Sequence, residues 1–496
     1  MDRGVVMQLS KLLSSLDFEL LCGSLDTEIQ DLCYDSRKAS PGKAFVALLG
    51  TQVDGHDYLS AAYENGARTF IVQRPEALMP SANITAIRVP DSRIALALMS
   101  RALFGDPAKA LTLVGITGTK GKSSITGILK NILDQSGRQC GTIGTTGVCY
   151  GREKQPTINT TPESYETYRY LDQMRQAGCS HAVMEVSSQG LKMHRVEGIC
   201  YDIGLFTNLS PDHIGKGEHE SFEDYLYCKS LLFSQCKAGI ANADDPYFAA
   251  ITRNARCPIT TFAIHKEADY TAQDIHLVRS GKHLGVEFTC HTPDGAFSVS
   301  TNVPGEFTVY NCLAAIAAAR MLGVEVEIIR QALTDISVKG RMELVGDTED
   351  YSIIIDYAHN AVSLQTILQT IRQYQPRRIV CLFGCGGNRP KMRRFEMGEI
   401  AGKYADFSIL TADNSRFERT EDIIADILTG IQKTQGKYVT IPDRVQAIHY
   451  AIDNALPGDI ILIAGKGHEM YQEMDGIRYP FNEAQIICDY LTKRRK

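Results

Sequence analysis

Short apolar runs that end in polar residues recur along this chain, and between them apolar positions repeat with helical spacing. Near the start, β-rich runs at Lys43 to Leu48 and Thr69 to Val72 alternate with a helical pattern at Tyr58 to Gly66, which predicts a small α/β domain. A connector at Phe104-Gly105-Asp106-Pro107 follows. Beyond it, Ala182 to Ser187, Ile203 to Asn208 and Gly239 to Asn242 predict strands of a parallel sheet with functional residues at their ends. A β-rich insertion, Thr260 to Val303, leads through Pro304-Gly305 into an alanine-rich helix, Val309 to Met321. After Lys339-Gly340-Arg341, apolar strands at Ser352 to Ile355, Arg378 to Phe383, Phe407 to Leu410 and Asp459 to Ala464 alternate with helical segments such as Ala361 to Tyr374. This pattern predicts a second doubly wound α/β unit.

The run Val114-Gly115-Ile116-Thr117-Gly118-Thr119-Lys120-Gly121-Lys122-Ser123-Ser124 takes a β-branched strand into closely spaced glycines and then Lys-Ser at a helix start. Gly118 and Gly121 allow a tight turn whose N–H groups face phosphate oxygens. The helix adds its positive end, Lys122 a mobile cation and Ser123 a ligand for Mg²⁺. Five residues separate Gly115 from Gly121, and Ile116 holds the usual first-glycine position, so the spacing departs from the common P-loop. The expected fold class is α/β in three domains: a small N-terminal α/β domain over 1–107, a central P-loop-type parallel-sheet ATPase domain over 108–338 and a C-terminal Rossmann-like domain over 339–496. A length of 496 residues suits about three domains.

A net charge of −6, from 52 basic and 58 acidic residues, gives no electrostatic case for nucleic acid or an anionic membrane. Fourteen cysteines are scattered, some inside apolar runs (Cys381, Cys488), and they read as reduced core residues of a cytosolic protein. The N-terminus leads into an amphipathic run, Leu9 to Leu21, rather than an apolar signal core, and no stretch is long and apolar enough to span a bilayer. A soluble cytoplasmic protein is expected.

Three further residues carry candidate chemistry. Glu185 follows Ala182-Val183-Met184 and reads either as a metal-holding carboxylate at a strand end or as a solvated acid. His213, in Asn208-Leu209-Ser210-Pro211-Asp212-His213, reads as a metal ligand or as an ordinary loop histidine. Lys229 lies in an apolar helical segment, Phe222 to Phe233, four residues after Tyr225. Such a lysine snorkels to water or, desolvated near a metal, takes up CO₂ as a carbamate.

Together these segments resemble the Mur ligases, ATP-dependent amide-forming enzymes of bacterial cell-wall peptide synthesis, over nearly the whole chain. Within that family the chain looks most like the member that adds the third residue, meso-2,6-diaminopimelate or L-lysine, to UDP-N-acetylmuramoyl-L-alanyl-D-glutamate. Asp35-Ser36-Arg37, with Pro41-Gly42 and Phe45-Val46-Ala47-Leu48, resembles the family's UDP-binding start and implies a substrate role for Ser36. Thr117 to Ser124 matches the ATP loop, implying nucleotide contacts from Gly118, Thr119, Lys120, Gly121, Lys122, Ser123 and Ser124. Asn159-Thr160-Thr161-Pro162, Glu185-Val186-Ser187-Ser188 and Arg195 match substrate segments, implying Thr160, Thr161, Ser187 and Arg195 as contacts. Asn311 and Arg341 look like further nucleotide contacts, and Asp356 to His359 like the segment joining the last domain to the ATP site. The resemblance implies ATP with a pair of Mg²⁺ ions held by Ser123, Glu185, His213 and a carbamylated Lys229, and Lys122, Lys229, His213 and Glu185 as catalytic residues. It also implies a monomer that binds the UDP-sugar dipeptide over 1–107 and the amino acid over 339–496, with domain closure during turnover.

The implied reaction is phosphoryl transfer from ATP to the D-glutamate carboxylate, then attack of an amino group on the acyl phosphate. Four features favour diaminopimelate as the acceptor: Arg389 after Gly384-Cys385-Gly386-Gly387-Asn388, the Asp413-Asn414-Ser415-Arg416 motif, Gly465, and Glu469. A guanidinium fork at Arg416 and a carboxylate at Glu469 suit the second amino-acid head that lysine lacks. Ser415 replaces a usual proline, Gln189 a histidine, Met193 a glutamine and Gly215 an aspartate, and Asn360-Ala361 replaces a Thr-Pro pair or similar. A lysine-adding enzyme, a folylpolyglutamate synthase-like ligase and a non-catalytic nucleotide-binding paralogue are the other readings.

Overall fold

The structure, a computed structural model, describes residues 6–50, 53–78, 83–211, 214–215, 218–280, 283–336, 338–346 and 348–494. It divides into two compact units, one running to Asp269 and including Ala314–Val324, the other comprising Tyr270–Leu313 and Glu325–Lys496. The architecture is α/β throughout: a small N-terminal α/β sheet, a central P-loop-type parallel sheet and a C-terminal Rossmann-like sheet.

The N-terminal sheet of the first unit has strands β1 (Glu19–Cys22), β2 (Asp31–Cys33), β3 (Lys43–Val46), β4 (Thr69–Val72) and β5 (Thr85–Arg88), in the order β1-β5-β4-β3-β2. All pairings are parallel except that of β1. Within the amphipathic run Leu9 to Leu21, Leu9–Leu12 is helical, and Glu19–Cys22 pairs with β5. Leu9, Leu12 and Leu13 are buried, so one apolar turn is enough to dock the segment before the chain extends to gain ladder hydrogen bonds.

The central sheet of the same unit has β6 (Thr112–Thr117), β7 (Cys140–Gly144), β8 (Gly147–Tyr150), β9 (Glu153–Gln155), β10 (His181–Glu185), β11 (Tyr201–Phe206), β12 (Cys236–Asn242) and β13 (Ile259–Ala263), in the order β9-β8-β7-β10-β6-β11-β12-β13. From β7 to β13 the pairings are parallel, which sets the C-terminal ends of β6, β10 and β11 side by side. Helix α1 (Lys122–Gln135) buries Ile125, Ile128, Leu129, Ile132 and Leu133, the spacing of one helical face. Each of those side chains stabilises the unit by roughly 1.5–3 kcal/mol, and Leu129→Ala, at full burial, costs about 2–5 kcal/mol.

In the second unit, β14 (Tyr270–Ser280), β15 (His283–Thr292) and β16 (Gly295–Thr301) form an antiparallel meander. The Rossmann-like sheet has β17 (Glu343–Leu344), β18 (Ser352–Asp356), β19 (Ile379–Phe383), β20 (Phe407–Leu410), β21 (Tyr438–Thr440) and β22 (Ile460–Ala464), in the order β17-β18-β22-β19-β20-β21, parallel apart from β17. Because side chains alternate along a strand, Ile354, Cys381, Phe383 and Leu462 enter one core and Ile353, Ile355, Val380, Leu382, Ile461 and Ile463 the other. Helices α2 (Ala361–Gln373), α3 (Met392–Tyr404) and α4 (Thr420–Ile431) close the first core, and α5 (Arg444–Asp453) and α6 (Glu483–Arg494) the second. Burial on both faces explains why these strands read as continuous apolar runs. Cys381 is buried as expected, whereas Cys488 is exposed on α6. No helix among the described residues is long and apolar enough to cross a membrane.

Candidate active site

The chain leaves β6 at Thr117 and turns through Gly118, Thr119, Lys120 and Gly121 before α1 begins at Lys122. Gly118 has φ +147°, and a Cβ there would lie 1.8 Å from Thr207 Oγ1, so no other residue fits without moving β11's end. The Thr119 and Lys120 amides donate to the Asn208 carbonyl and side-chain oxygens at 2.8 and 2.9 Å, and Thr207 Oγ1 donates to Lys120 O at 2.6 Å. The loop is thus clamped to the end of β11. Gly121, the residue before α1, caps no first-turn amide with a side chain, which leaves the positive helix end open to an anion at Lys122, Ser123 and Ser124. Lys122 Nζ donates to Gly118 O and Thr119 O at 2.7 and 3.2 Å.

Glu185, at the end of β10 and 1% exposed, sits beside this loop. Its carboxylate accepts from Ser123 Oγ, Thr145 Oγ1 and Thr145 N, all at 3.0 Å. Thr145 Oγ1 also lies 3.0 Å from Thr160 Oγ1. Thr161 Oγ1 donates to Glu185 O and accepts from Ser187 N at 2.9 Å, while Arg195 reaches Thr161 O at 3.1 Å and Glu163 at 2.8 Å. Six sequence-predicted residues, Ser123, Glu185, Thr160, Thr161, Ser187 and Arg195, therefore form one connected cluster. A buried carboxylate ringed by hydroxyls is a hard-oxygen donor set of the kind that suits Mg²⁺. Ser36 stands outside the cluster in the turn after β2, where Asp35 caps the turn and Ser36 O accepts from Asn65.

Lys229 does not snorkel. It is 1% exposed, its Nζ donates to Gly118 O at 2.9 Å, and it lies 4.5 Å from the centre of the Tyr225 ring. The helix Phe222–Ser230 that carries both is anchored by Tyr225 Oη, 3.1 Å from Thr119 Oγ1. His213 lies outside the described residues. Its neighbour in sequence, His219, is buried, with Nδ1 3.0 Å from Asp224 and Nε2 2.8 Å from Ser188 Oγ. Burial holds the His219 imidazole below its usual range. Burial works against the Asp224 carboxylate, yet hydrogen bonds from Lys192, His219 and Cys228 keep it well below the carboxylate range.

The second candidate cluster belongs to the second unit, where the loops after β19, β20 and β22 meet. Asn414 Nδ2 donates to Glu469 at 2.8 Å, and Lys466, fully buried, donates to Asn414 Oδ1 at 2.8 Å and lies 3.6 Å from Asp413. Gly465 has φ +115°, and a Cβ there would stand 2.7 Å from Asp413 Oδ2. Arg416 has a left-handed backbone, φ +53°, and its Nη1 donates to Gly387 O at 2.6 Å. A hairpin of Tyr471–Met474 and Ile477–Pro480 holds that geometry, since Arg416 N donates to Glu473 O at 3.1 Å and Gln472 reaches Asp413 O at 3.2 Å. Ser415, 5% exposed, is packed here without the proline's rigidity. Arg389 is exposed. Asn311, on the helix Glu306–Met321, is 7% exposed, and Arg341 lies over the Tyr357 ring at 5.0 Å.

Sequence reasoning missed Thr145, Lys466, His219 and the hairpin. Thr145 follows an apolar strand in Gly144-Thr145-Thr146-Gly147, the same strand-end signal that picks out Glu185.

Comparison with known proteins places these clusters in context. Three family models match: "Mur ligase family, catalytic domain" over residues 28–103, "Mur ligase middle domain" over 116–319, and "Mur ligase, glutamate ligase domain" over 340–467. A relative from Caldanaerobacter subterraneus subsp. tengcongensis, named UDP-N-acetylmuramoyl-L-alanyl-D-glutamate–2,6-diaminopimelate ligase, is 40% identical over 99% of this chain and 100% of its own length. One of the same name from Clostridium perfringens is 40% identical over 98% of this chain and 99% of its own. A solved structure with that name aligns at a TM-score of 0.72 and 28% identity, covering 99% of this chain and 100% of its own.

Proposed function

The chain belongs to the Mur ligase family, and from that premise we propose that it adds meso-2,6-diaminopimelate to the D-glutamate of UDP-N-acetylmuramoyl-L-alanyl-D-glutamate. It does so as an ATP-dependent carbon–nitrogen ligase, in peptidoglycan precursor synthesis, acting as a cytoplasmic monomer. The observation that carries this reading is the end-to-end likeness to relatives named for that reaction. The labour divides by domain: 1–107 holds the UDP-sugar, 108–338 ATP, and 339–496 the amino acid.

In the reaction, the γ-phosphoryl group of ATP passes to the D-glutamate side-chain carboxylate and ADP leaves. The acceptor amine then attacks the acyl carbon, the amide forms and phosphate departs. The first turn of α1 and Lys122 bind the phosphates, matching charge that spreads over the transferring group. Ser123 and Glu185 would hold Mg²⁺, with His213 and a carbamylated Lys229 completing the set, and Mg²⁺ supplies charge neutralisation between two anions that repel. Thr160, Thr161, Ser187 and Arg195, tied to Glu185 through hydrogen bonds, orient the dipeptide carboxylate. Asn311 and Arg341 contact the nucleotide. Arg389, Asp413, Asn414, Ser415, Arg416, Gly465 and Glu469 receive the acceptor: Arg416 takes its distal carboxylate and Glu469 its distal ammonium.

ADP release tests this reading. It is expected to require the UDP-dipeptide and diaminopimelate together, and release that ignores either one contradicts a ligase.

A further inference from the structure

Arg444 opens α5 in the second unit and Glu483 opens α6, in the helix layer on one face of the Rossmann-like sheet. Their side chains are 0% and 1% exposed and pair at 2.6 Å through Arg444 Nε. Both terminal nitrogens of the guanidinium reach main-chain carbonyls: Nη1 donates to Ala412 O at 3.0 Å, and Nη2 to Ala464 O at 2.9 Å. Ala464 ends β22 and Ala412 lies just past β20, and these two strands are not neighbours, because β19 runs between them. At a strand spacing of about 4.8 Å, the fork ties together backbones roughly 10 Å apart.

The next residue after each tied carbonyl belongs to the acceptor cluster. Asp413 follows Ala412, and Gly465 and Lys466 follow Ala464. Those loops touch only if their separation is held: Gly465 leaves no room for a Cβ beside Asp413, and Lys466 must reach both Asn414 and Asp413. Arg444 and Glu483 act on this cluster through the two tied carbonyls. A planar, always charged fork meets a carboxylate and two separated carbonyls from three different nitrogens, whereas a lysine in its place has its donors on one nitrogen and satisfies the carboxylate as a point charge.

We propose that Arg444, oriented by Glu483, is a positioning residue for acceptor recognition, setting the spacing of the Asp413–Arg416 and Gly465–Glu469 loops and so the fit to a diamino dicarboxylic acid. The proposal rests on the function argued above. It is tested with purified full-length wild type, Arg444→Lys and Glu483→Gln. The KM of each substrate, the product ratio for diaminopimelate against L-lysine, and amide hydrogen exchange are measured on each protein.

Arg444→Lys keeps a buried cation for Glu483 and loses the double tie. The expected result is an acceptor KM raised at least about tenfold, with the KM values for ATP and the UDP-dipeptide within about twofold of wild type. Discrimination against lysine falls, and exchange quickens at residues 412–416 and 465–469 while α1 keeps its protection. Glu483→Gln gives a smaller change in the same direction. An unchanged acceptor KM, a parallel rise in all three KM values, or unchanged exchange at those loops overturns the proposal. If wild type itself makes no tripeptide, the functional reading fails, and the exchange result alone decides whether Arg444 holds the loops.

Discussion

Lys229 Nζ and Lys122 Nζ donate to the same carbonyl oxygen, that of Gly118, at 2.9 and 2.7 Å. Lys122 comes from the start of α1 and Lys229 from a helix beyond β11, so the fold directs two amines onto one turn of the phosphate loop. As ammonium groups they repel. A carbamate on Lys229 would turn that repulsion into attraction and present oxygens toward the loop.

Lys229→Met should therefore lower kcat by about 10³-fold while leaving the folded state intact, since the methionine fills the space beside Tyr225. Carbon-13 NMR of wild type in labelled bicarbonate is expected to give a carbamate resonance that the variant lacks. Turnover at wild-type rates in the variant contradicts the role assigned to Lys229.

Glu185→Gln keeps the volume and loses the charge. The amide oxygen still accepts from Ser123 Oγ and Thr145 Oγ1, but the Thr145 N–H then faces the amide NH₂, so stability should fall by about 1–3 kcal/mol, and the Mg²⁺ concentration giving half-maximal rate should rise at least about tenfold. Titration of activity against Mg²⁺ measures it. An unchanged Mg²⁺ dependence removes Glu185 from the metal site.

Gly118→Ala drives a methyl into Thr207 Oγ1 at a backbone angle that L-residues avoid. The expected destabilisation is about 1–3 kcal/mol, read from urea unfolding, together with a raised ATP KM because the Lys120 and Lys122 ends of the loop move with it. A variant of wild-type stability and ATP affinity would show that the loop relaxes at no cost.

Burial, reinforced by Arg341 and Lys339, pulls the His468 imidazole from 6.5 down to about 4. The folded state thus keeps His468 neutral where the unfolded chain takes up a proton. The contribution is complete above pH 6.5 and fades as pH falls toward 4, amounting to roughly 3 kcal/mol at most. Urea unfolding of wild type and His468→Gln across that range should show the wild type losing more stability on acidification. Parallel losses contradict the assignment.

Much of this is legible in the sequence, for identifiable reasons. Thr69–Val72 and Phe407–Leu410 are strands with the bounds their apolar runs predict, because burial on both faces keeps each run mostly apolar, and its one polar residue, Thr69 or Ser408, is small and itself buried. The phosphate loop is legible because its glycines meet a backbone requirement that no other residue meets. The elements of the Leu9 to Leu21 run are harder to read, because Leu9, Leu12, Leu13 and Leu16 keep helical spacing, while pairing with β5 draws Glu19–Cys22 into a strand. The hairpin beside Arg416 breaks its apolar residues with Gln472, Glu473 and Arg478 and escapes a search for continuous apolar strands. Its Asp475-Gly476 turn, with φ +50° and +73°, is the signal that finds it. The burial of Lys229, the pairing of Arg444 with Glu483 and the place of Lys466 depend on residues far apart in the chain, and no local pattern carries them.

The central claim is that this ligase selects an acceptor with a second amino-acid head. The most direct measurement is competition: ATP, Mg²⁺ and UDP-N-acetylmuramoyl-L-alanyl-D-glutamate with equimolar meso-diaminopimelate and L-lysine, products resolved by mass. A charge-assisted grip at Arg416, as proposed, would contribute about 1.5–3 kcal/mol, or roughly 10–100-fold in selectivity. The account predicts the diaminopimelate tripeptide in at least that excess, and equal products or a lysine majority would contradict it.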